Sequence, residues 1–374
     1  MMSHSFDDAV TIPSAVKASL LREDHHDLIV QQPVNANTIY HNAPEIDLDQ
    51  YSKILVFISS GKDSWACLLQ LMELGCDMSK VELVHHCVDG HFNEPHFADW
   101  SYVTDYCRKL ASHFQLPIYY SWLEKGFRGE LLKENSRPQN HVIQTPSGWL
   151  NLDRPRAKEG TRMRFPQQTA NLKTRWCSGE LKTTVGNRLI TNQKRFLGGT
   201  SNRILVVVGQ RRLESSARAK LAQYVIHSTD TARNSNPQIF RYVDEWRPIL
   251  SWTEEQVWTL LEKYGVNPPV AYRLGWGRSS CATCIFNSPQ LWATLRHYFP
   301  RRFELIANLE QSFGVSISQK KIFLKDLTRG VAPLEINDYE ALEQAYKSEY
   351  TLPIVTNDWQ LPAGAFSVES AGAI

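Results

Sequence analysis

A short run of serine, glycine and lysine directly follows an apolar stretch and has residue types suited to binding phosphate. The run is Ser59, Ser60, Gly61, Lys62, Asp63 and Ser64. Where such a turn joins a strand to a helix, several backbone N–H groups point at one position and bind phosphate there. Gly61 permits close backbone approach, the hydroxyls of Ser59 and Ser64 can donate hydrogen bonds, and Lys62 adds charge. Asp63 would orient the loop or hold Mg²⁺. The run predicts a nucleotide-phosphate site that is not a Walker loop, with an ordinary polar turn as the alternative.

A second polar segment, residues 209–218, carries three arginines around a Glu-Ser pair. Its candidate binding residues are Gly209, Arg211, Arg212, Glu214, Ser215 and Arg218. The segment follows the apolar run 204–208, so its arginines should lie at the same carboxyl edge of a sheet as the first loop. A planar guanidinium pairs with two phosphate oxygens at once. The segment predicts further phosphate contacts, with a solvated helix face as the alternative.

Two of the seven cysteines, Cys281 and Cys284, are separated by two residues, a spacing typical of metal sites. They follow a Gly-Arg-Ser-Ser approach that would let two thiolates curl around one metal or cluster. A structural zinc or a cubane normally has four protein ligands, and no cysteine follows Cys284. Zinc completed by a histidine, a redox-active pair and two unrelated thiols remain alternatives. Packed thiols are expected at Cys67, Cys76, Cys87 and Cys107.

Apolar runs alternate with helical patterns in the first half of the chain. The run 54–58 is apolar throughout, as in a strand buried on both faces of a parallel sheet. Helical spacing follows it, and strand candidates at 81–88 and 117–120 flank a helical stretch near 99–113. This βαβαβ alternation predicts an α/β fold with a doubly wound, mostly parallel sheet and ligands at the carboxyl ends of its strands.

The length of 374 residues allows one large core or two modest ones. We expect an N-terminal arm over residues 1–45, a core over 46–215 and a mainly helical region over 216–374 that carries Cys281 and Cys284. The formal charge of +2, from 41 basic and 39 acidic residues, predicts no global field for nucleic acid or membrane. The first thirty residues lack the apolar core of a secretory signal, and no stretch is long enough to span a bilayer, which favours the cytoplasm.

Residues 136–170 are rich in Pro, Asn, Gln and Arg and are expected to form a long loop at the active site. A basic group within them consists of Arg154, Arg156, Lys158, Arg162 and Arg164. Trp149 and Phe165 lie nearby, so a nucleic-acid strand would find both phosphate contacts and stacking partners here. An ordinary solvated loop is the alternative.

Four segments resemble a known family in its own order. The first loop resembles the Ser-Gly-Gly-x-Asp-Ser motif of PP-loop ATP pyrophosphatases, with Ser60 where that family usually has glycine. Residues 209–218 resemble the Gly-x-Arg-x-x-Glu-Ser-x-x-Arg motif of its phosphoadenosine phosphosulfate reductase-like branch, which implies that they meet the phosphate or sulfate end of the nucleotide. Residues 173–182 are similar to the Arg-Trp-Cys-x-x-x-Leu-Lys segment, which implies that Arg175 and Lys182 neutralise an anionic substrate. Residues 246–253 resemble a structural connection of the same branch.

The resemblance also implies roles for Asp89 and for a third cysteine. Residues 88–94 are similar to the family's Asp-containing turn beside the adenosine, so Asp89 would bind ribose or metal, with turn capping as the alternative. The resemblance puts Cys177 across the nucleotide cleft from Cys281 and Cys284. It implies that the three hold a [4Fe–4S] cluster with one iron open to sulfide.

Among the reactions of this superfamily, the resemblance favours ATP-dependent sulfur insertion. Assimilatory sulfonucleotide reductases use a cysteine in a C-terminal Glu-Cys-Gly-x-His segment, whereas residues 285–374 contain no cysteine. The chain resembles the PP-loop component of bacterial DNA phosphorothioation systems of the Dnd and Ssp type. That implies ATP and Mg²⁺ as cofactors, DNA as substrate, a cysteine desulfurase as sulfur donor and other phosphorothioation subunits as partners.

In this interpretation the expected catalytic residues are Lys62, Asp63, Arg211 and Arg212, which would stabilise the charge that develops on the phosphates. Three alternatives remain. They are a phosphoadenylylsulfate or adenylylsulfate reductase, a tRNA-thiolating PP-loop enzyme, and a nucleotide-sensing subunit without enzymatic activity.

Overall fold

One mixed sheet of eight strands organises the part of the chain that the computed structural model describes, residues 46–91, 96–233, 240–279 and 281–367. The predicted N-terminal arm lies outside the described residues. The strands are β1 Lys53–Ile58, β2 Val81–His86, β3 Ile118–Leu123, β4 His141–Thr145, β5 Gly148–Leu152, β6 Arg203–Val208, β7 Tyr224–Ile226 and β8 Tyr242–Trp246.

Helices flank this sheet, and the regular elements of the described chain after β8 are all helices. The α-helices are α1 Lys62–Glu73, α2 Val103–His113, α3 Gly126–Leu131, α4 Trp176–Ser178, α5 Val185–Thr191, α6 Ser216–Ala219, α7 Glu254–Lys263, α8 Val270–Arg273, α9 Pro289–Tyr298, α10 Pro300–Phe313, α11 Leu324–Leu327 and α12 Tyr339–Gln344. A π-helical turn, Gly179–Thr184, joins α4 to α5. Short 3₁₀ turns are Leu48–Gln50, Met78–Lys80, Lys194–Phe196, Gly199–Ser201 and Arg212–Glu214.

The strand order is β5-β4-β3-β2-β1-β6-β8-β7. Strand β1 pairs in parallel with β2 and β6, and β3 and β8 continue the parallel pairing outward. Strands β4, β5 and β7 add antiparallel pairs at the two edges. The predicted doubly wound, mostly parallel α/β sheet is confirmed. Because the chain extends from β1 to β2 on one side and places β6 on the other, the carboxyl end of β1 is a topological switch point, where open sheets bind ligands.

Strand β1 is apolar because both of its faces are covered. Ile54, Leu55 and Val56 are fully buried. Ile54 and Val56 belong to the larger core, which continues into the C-terminal helices, and Leu55 belongs to a smaller core on the opposite face of the sheet. This double burial holds the carboxyl end of β1, and the loop that follows it, in a fixed position.

Helix α1 starts directly after the predicted phosphate loop. Gly61 is its N-cap residue, and Asp63 lies in its first turn, where a negative charge is favourable. Its residues Trp65, Leu68 and Leu69 face the larger core, and the helix ends before Gly75, which has a φ of +70°. The strand, loop and helix thus form the unit that the apolar run and the helical spacing predict.

Two predicted boundaries differ from the structure. Residues 136–170 are not a continuous loop, because β4 and β5 form an antiparallel hairpin within them. The sheet also continues past residue 215, the predicted end of the core, since β7 and β8 pair at its far edge. Helix α7 begins with a capping box: the Thr253 hydroxyl accepts from the N–H of Gln256, and the Gln256 side chain accepts from the N–H of Thr253.

Among the described residues, no helix combines the length and the apolar character that crossing a membrane requires.

Candidate phosphate-binding cleft

A cleft of about 200 Å³ opens at the carboxyl ends of β1, β2 and β6. It is lined by Ile58, Ser59, Ser60, Gly61, Asp63, Ser64, His85, His86, Val88, Asp99, Val103, Lys182, Gly209, Glu214, Arg218, Tyr272, Arg278, Ser279 and Cys281. The two predicted phosphate segments therefore meet in one place. Ligand pockets typically measure about 300–1,000 Å³, so a ligand as large as a nucleotide would be enclosed only in part and would extend towards the mouth of the cleft.

Hydrogen bonds within the phosphate loop hold its backbone in shape. The Ser64 hydroxyl donates towards the carbonyl of Gly61 at 2.8 Å and accepts from the N–H of Ser59 at 3.1 Å. The Ser59 hydroxyl accepts from the N–H of Gly61 at 3.1 Å. These two hydroxyls, predicted to bind the ligand, thus stabilise the loop itself, and a bound phosphate would have to compete for its N–H groups.

Lys62, expected to be catalytic, does not line the cleft. Its side chain is 3% exposed and its ammonium lies 3.3 Å from the Glu254 carboxylate at the start of α7. The ammonium also lies over the rings of Trp258 and Tyr272 at 5.4 and 5.2 Å. Burial alone would lower the pKa of Lys62, but the effects of Tyr272, Asp63 and Glu254 together raise it. Lys62 therefore links α1 to α7 as a buried cation.

Asp63 and Arg211 form a buried ion pair beside the loop. Arg211 Nε lies 2.5 Å from Asp63 Oδ1, and a second guanidinium nitrogen lies 3.7 Å from Glu254. Burial raises the pKa of Asp63, but the positive charges of Lys62 and Arg211 outweigh it and hold that pKa below its ordinary value. Asp63 lines the cleft as a carboxylate. Arg211 does not line the cleft and contacts it only by its ion pair with Asp63.

Arg212, the fourth expected catalytic residue, points out of the cleft. Its guanidinium contacts the Ser251 hydroxyl and the carbonyl of Leu221. Its backbone N–H donates to the carbonyl of Leu250 at 2.8 Å. Arg212 therefore joins the end of β6 to the chain that leads into α7.

Three cations from separate parts of the chain line the cleft: Lys182, Arg218 and Arg278. Lys182 lies in the π-helical turn and is exposed. Glu214, also in the lining, pairs with Arg218 and lies 3.7 Å from Arg278. Burial and then the positive charges of Arg218 and Arg278 lower the pKa of Arg175, against the opposing effect of Cys177. This accumulation of positive charge is what an anionic ligand would neutralise.

Arg175 itself is half-buried behind this group and does not line the cleft. Its guanidinium lies over the ring of Phe286 at 6.0 Å, and its Nε has no hydrogen-bond partner. Of the two residues expected at the substrate phosphate, Lys182 therefore reaches the cleft and Arg175 lies behind it.

Gly209 and Ser215 contribute backbone geometry. A side chain at Gly209 would meet the carbonyl of Asp63 at 2.7 Å, so glycine allows β6 to approach the start of α1. The Ser215 hydroxyl caps α6 by accepting from the N–H of Arg218 at 3.2 Å. Gly209 lines the cleft, and Ser215 orients the turn that presents Arg218.

Asp89 caps a turn. Its carboxylate accepts from the N–H groups of Phe97, Ala98 and Asp99 at 2.8 to 3.0 Å, and it is not among the cleft-lining residues. This agrees with the turn-capping alternative. Asp99, which the sequence did not single out, does line the cleft, together with Asp63 and Glu214. Burial, then the charge of Asp89, raises the pKa of Asp99 to about 7, although Lys182 lowers it.

Two neutral histidines form part of the cleft wall at the end of β2. His85 donates from Nδ1 to the carbonyl of Ile58 at 3.1 Å, and His86 Nδ1 lies 2.7 Å from the Ser121 hydroxyl. Burial lowers the pKa of His85 to about 4 and that of His86 to about 3. Neither adds positive charge near neutral pH, which leaves the positive charge of the cleft to Lys182, Arg218 and Arg278.

Cys177, Cys281 and Cys284 interact electrostatically, and Cys281 lines the cleft. Burial and then nearby Cys284 raise the pKa of Cys177 to about 11, and burial and then Asp99 raise that of Cys281 well above its ordinary value. A cluster needs converging thiolates. Across residues 46–367, apart from the undescribed gaps, no three His, Cys, Asp or Glu side chains are arranged to hold a metal ion. The described residues therefore give no support to the expected [4Fe–4S] cluster.

The predicted basic group is divided by the fold. Arg162 pairs with Glu130 at 2.6 Å and lies over the ring of Trp176 at 4.9 Å. Phe165 is buried and is unavailable for stacking. Trp149, on β5, is 47% exposed. The group that reaches solvent after β5 includes Arg156, Lys158 and Arg164, with Arg154 half-buried.

Comparison with known proteins identifies a family segment. Residues 164–287 match the family model of the phosphoadenosine phosphosulfate reductase domain. About a third of the chain carries this domain match. It contains Arg175, Lys182, the arginine segment 209–218 and Cys281, whereas the phosphate loop precedes it. The matched segment thus supplies the three cleft-lining cations, and β1 supplies the loop that they face.

A curated relative is the uncharacterized 37.8 kDa protein in the gpa 5' region of Escherichia phage 186. It is 29% identical over 149 residues, which are 40% of this chain and 40% of the phage protein. Among solved structures, Candida glabrata FMN adenylyltransferase with FMN and the ATP analog AMPCPP aligns at 11% identity and a TM-score of 0.34, covering 86% of this chain and 81% of that chain. The same enzyme with FAD and inorganic pyrophosphate aligns at 12% identity and a TM-score of 0.33, covering 87% of this chain and 84% of that chain.

Sequence reasoning missed Arg278, Asp99 and Tyr272 as cleft residues. Arg278 stands three positions before Cys281, so its closeness to the Cys-x-x-Cys motif could have indicated that it belongs to the site. Asp99 and Tyr272 belong to no motif, and only the packing of the chain brings them to the loop.

Proposed function

We propose that this protein is an ATP pyrophosphatase that cleaves ATP between its α and β phosphates. The observation that carries the proposal is the meeting of the β1 phosphate loop with Lys182, Arg218 and Arg278 in one cleft. Preorganised cations stabilise charge that develops on phosphates, and this is the largest contribution that a protein makes to phosphoryl or nucleotidyl transfer.

Asp63 is the residue that would hold Mg²⁺ in this cleft. Mg²⁺ is usually bound by one or two carboxylates together with substrate phosphates, so a dedicated protein cage is not required. Asp63 fits this role because it lines the cleft and its pKa is held low. When bound, Mg²⁺ would neutralise the pyrophosphate leaving group. Arg211 would keep Asp63 oriented through their ion pair.

As the acceptor we propose a DNA backbone phosphate that is being prepared for sulfur insertion. An oxygen of that phosphate would attack the α-phosphorus of ATP, forming an O–P bond as the bond to pyrophosphate breaks. A thiol reductant would release hydrosulfide from the persulfide that a cysteine desulfurase forms, leaving a disulfide. The hydrosulfide would then attack the DNA phosphorus and form a P–S bond as the P–O bond to AMP breaks. The cysteine that lines the cleft, Cys281, and the match to a phosphoadenosine phosphosulfate reductase domain support a sulfur-linked reaction.

The exposed surface after β5 supports the choice of nucleic acid. Arg156, Lys158 and Arg164 reach solvent there. Trp149 offers a ring face beside Trp122, with 5.0 Å between the ring centroids. Cations that contact phosphates and an aromatic ring that stacks on bases are the two elements of single-strand binding.

The domain match favours one second candidate, reduction of a sulfonucleotide. The two functions differ in their products, because a pyrophosphatase releases pyrophosphate from ATP and a reductase releases sulfite from phosphoadenylylsulfate.

The two functions are distinguished by incubating the full chain with Mg²⁺, a DNA oligonucleotide and either ATP or phosphoadenylylsulfate. We expect pyrophosphate from ATP and no sulfite from phosphoadenylylsulfate with a dithiol reductant. Arg218→Ala should reduce pyrophosphate release by about tenfold or more, since it removes one charged phosphate contact. Arg329→Ala, at an exposed position outside the cleft, is the matched control and should leave the rate unchanged. Sulfite without pyrophosphate would replace this proposal with the reductase.

A further inference from the structure

Ser60 occupies the loop position at which the resembling family usually has glycine. Its backbone does not require glycine here, because Ser60 is not among the described residues with positive φ. Its side chain is 1% exposed and points away from solvent into the contact between the phosphate loop and Ser279. The Ser60 hydroxyl is therefore buried against Ser279, in a contact that glycine could not make.

Ser60 and Ser279 make a reciprocal pair of hydrogen bonds. The Ser60 hydroxyl lies 3.1 Å from the backbone carbonyl of Ser279 and 2.6 Å from its hydroxyl oxygen. Each hydroxyl has one proton, and a carbonyl can only accept. Both contacts are satisfied when Ser60 donates to the carbonyl and Ser279 donates to Ser60. Ser279 is itself 5% exposed, so these bonds are shielded from water.

Further contacts bind the same stretch of chain to the loop. The N–H of Lys62 donates to the Tyr272 hydroxyl at 3.1 Å, and the Lys62 ammonium donates to the carbonyl of Gly277 at 3.4 Å. Arg278 and Cys281, on either side of Ser279 in the sequence, both line the cleft. The stretch that carries Arg278 is thus attached to the loop through Ser60 and Lys62, and α8, which precedes it, is attached through Tyr272.

We propose that Ser60 is a positioning residue whose paired hydrogen bonds with Ser279 hold Arg278 and Cys281 at the phosphate loop. This inference rests on the proposed nucleotide-binding function. Because the bond joins the loop to the stretch that bears Arg278, a nucleotide phosphate held by the loop is placed against that guanidinium. Glycine at position 60 would remove the hydroxyl and leave the carbonyl of Ser279 without this donor.

A double-mutant cycle tests the coupling without requiring turnover. Binding of α,β-methylene-ATP with Mg²⁺ to the full chain is measured calorimetrically for the wild type, Ser60→Gly, Arg278→Ala and the double variant. We expect Arg278→Ala to weaken binding about tenfold in the wild type and less than about threefold in the Ser60→Gly background. Ser279→Ala, which removes the other hydroxyl, should reproduce the effect of Ser60→Gly.

Thr328→Ala is the control for loss of a buried hydroxyl. Thr328 is 3% exposed and bonds the carbonyl of Leu324 at 2.8 Å, outside the cleft. Thr328→Ala should lower the melting temperature, but in this background Arg278→Ala should still weaken nucleotide binding about tenfold. Additive effects of Ser60→Gly and Arg278→Ala in folded protein would overturn the proposal. Absence of nucleotide binding to the wild type would instead contradict the proposed function.

Discussion

At the scale of single residues, the charge of the cleft depends on groups that no motif contains. Asp99 faces the same space as Lys182 and Arg278, and its carboxyl changes charge near neutral pH because its pKa is raised to about 7. Motif matching identified the residues of the loop, but the protonation state of its surroundings follows from burial. A nucleotide would encounter a more positive cleft below pH 7 than above it.

This charge change predicts the pH dependence of nucleotide affinity. Above pH 7 Asp99 is a carboxylate and repels phosphate, so affinity for Mg²⁺-saturated α,β-methylene-ATP should fall by about three- to tenfold between pH 6 and 8. Asp99→Asn keeps an oxygen that can accept from the N–H of Trp100 but has no charge to gain. Calorimetric titrations across this range should show a weaker dependence in the variant, and equal slopes would contradict the assignment.

Lys62 gives a second prediction at this scale, concerning stability. Its ammonium is buried between Glu254 and Asp63, so Lys62→Met would leave those carboxylates with less positive charge nearby. Loss of one partner from a buried ion pair costs about 3–5 kcal/mol. We expect urea unfolding to report a decrease of about 3 kcal/mol in the free energy of unfolding. Lys158→Met, at an exposed position, is the control, and similar small effects in both variants would show that Lys62 is not a buried link.

At the scale of elements, the contact between the end of β6 and the start of α1 determines the shape of the loop. Gly209 permits this contact, because any side chain there would meet the backbone of Asp63 and Ser64. The sequence predicted both elements and the edge of the sheet at which they end. It did not predict how close they come, since that distance depends on the packing of the whole sheet.

Gly209→Ala should therefore disturb the phosphate loop. Its Cβ would lie 2.7 Å from the carbonyl of Asp63, so the two elements must move apart. We expect about 1–3 kcal/mol lower stability and weaker nucleotide binding, measured by urea unfolding and calorimetry. Gly160→Ala is the control because nothing lies within 4 Å of the added atom. Normal binding in Gly209→Ala would show that the loop tolerates displacement of β6.

Two of the strands that the sequence analysis missed have physical reasons for being missed. Strand β5 is an exposed edge strand, so burial does not select an alternating apolar pattern in it. Strand β7 has three residues, too few to show any periodicity. By contrast, β1 and β6 are buried on both faces, and their continuous apolar runs predicted them correctly.

At the scale of the whole molecule, the cleft is built from parts that lie far apart in sequence. The loop at 59–64 and the segment 209–218 meet because β1 and β6 are neighbours in the sheet, and Lys182 and Arg278 reach the same cleft from outside the strands. Family resemblance predicted the loop, Lys182 and Arg218 at this site. It did not predict that Lys62 faces α7, because a side chain in the first turn of a helix takes its direction from tertiary partners such as Glu254.

The central claim is that this cleft directs cleavage to the bond between the α and β phosphates of ATP. Incubating the full chain with Mg²⁺, a DNA oligonucleotide and ATP labelled in its α phosphate, then separating the products by chromatography, tests it directly. We expect label in AMP or in adenylated DNA and none in ADP. Label in ADP, or unchanged ATP in the presence of folded protein, would contradict it.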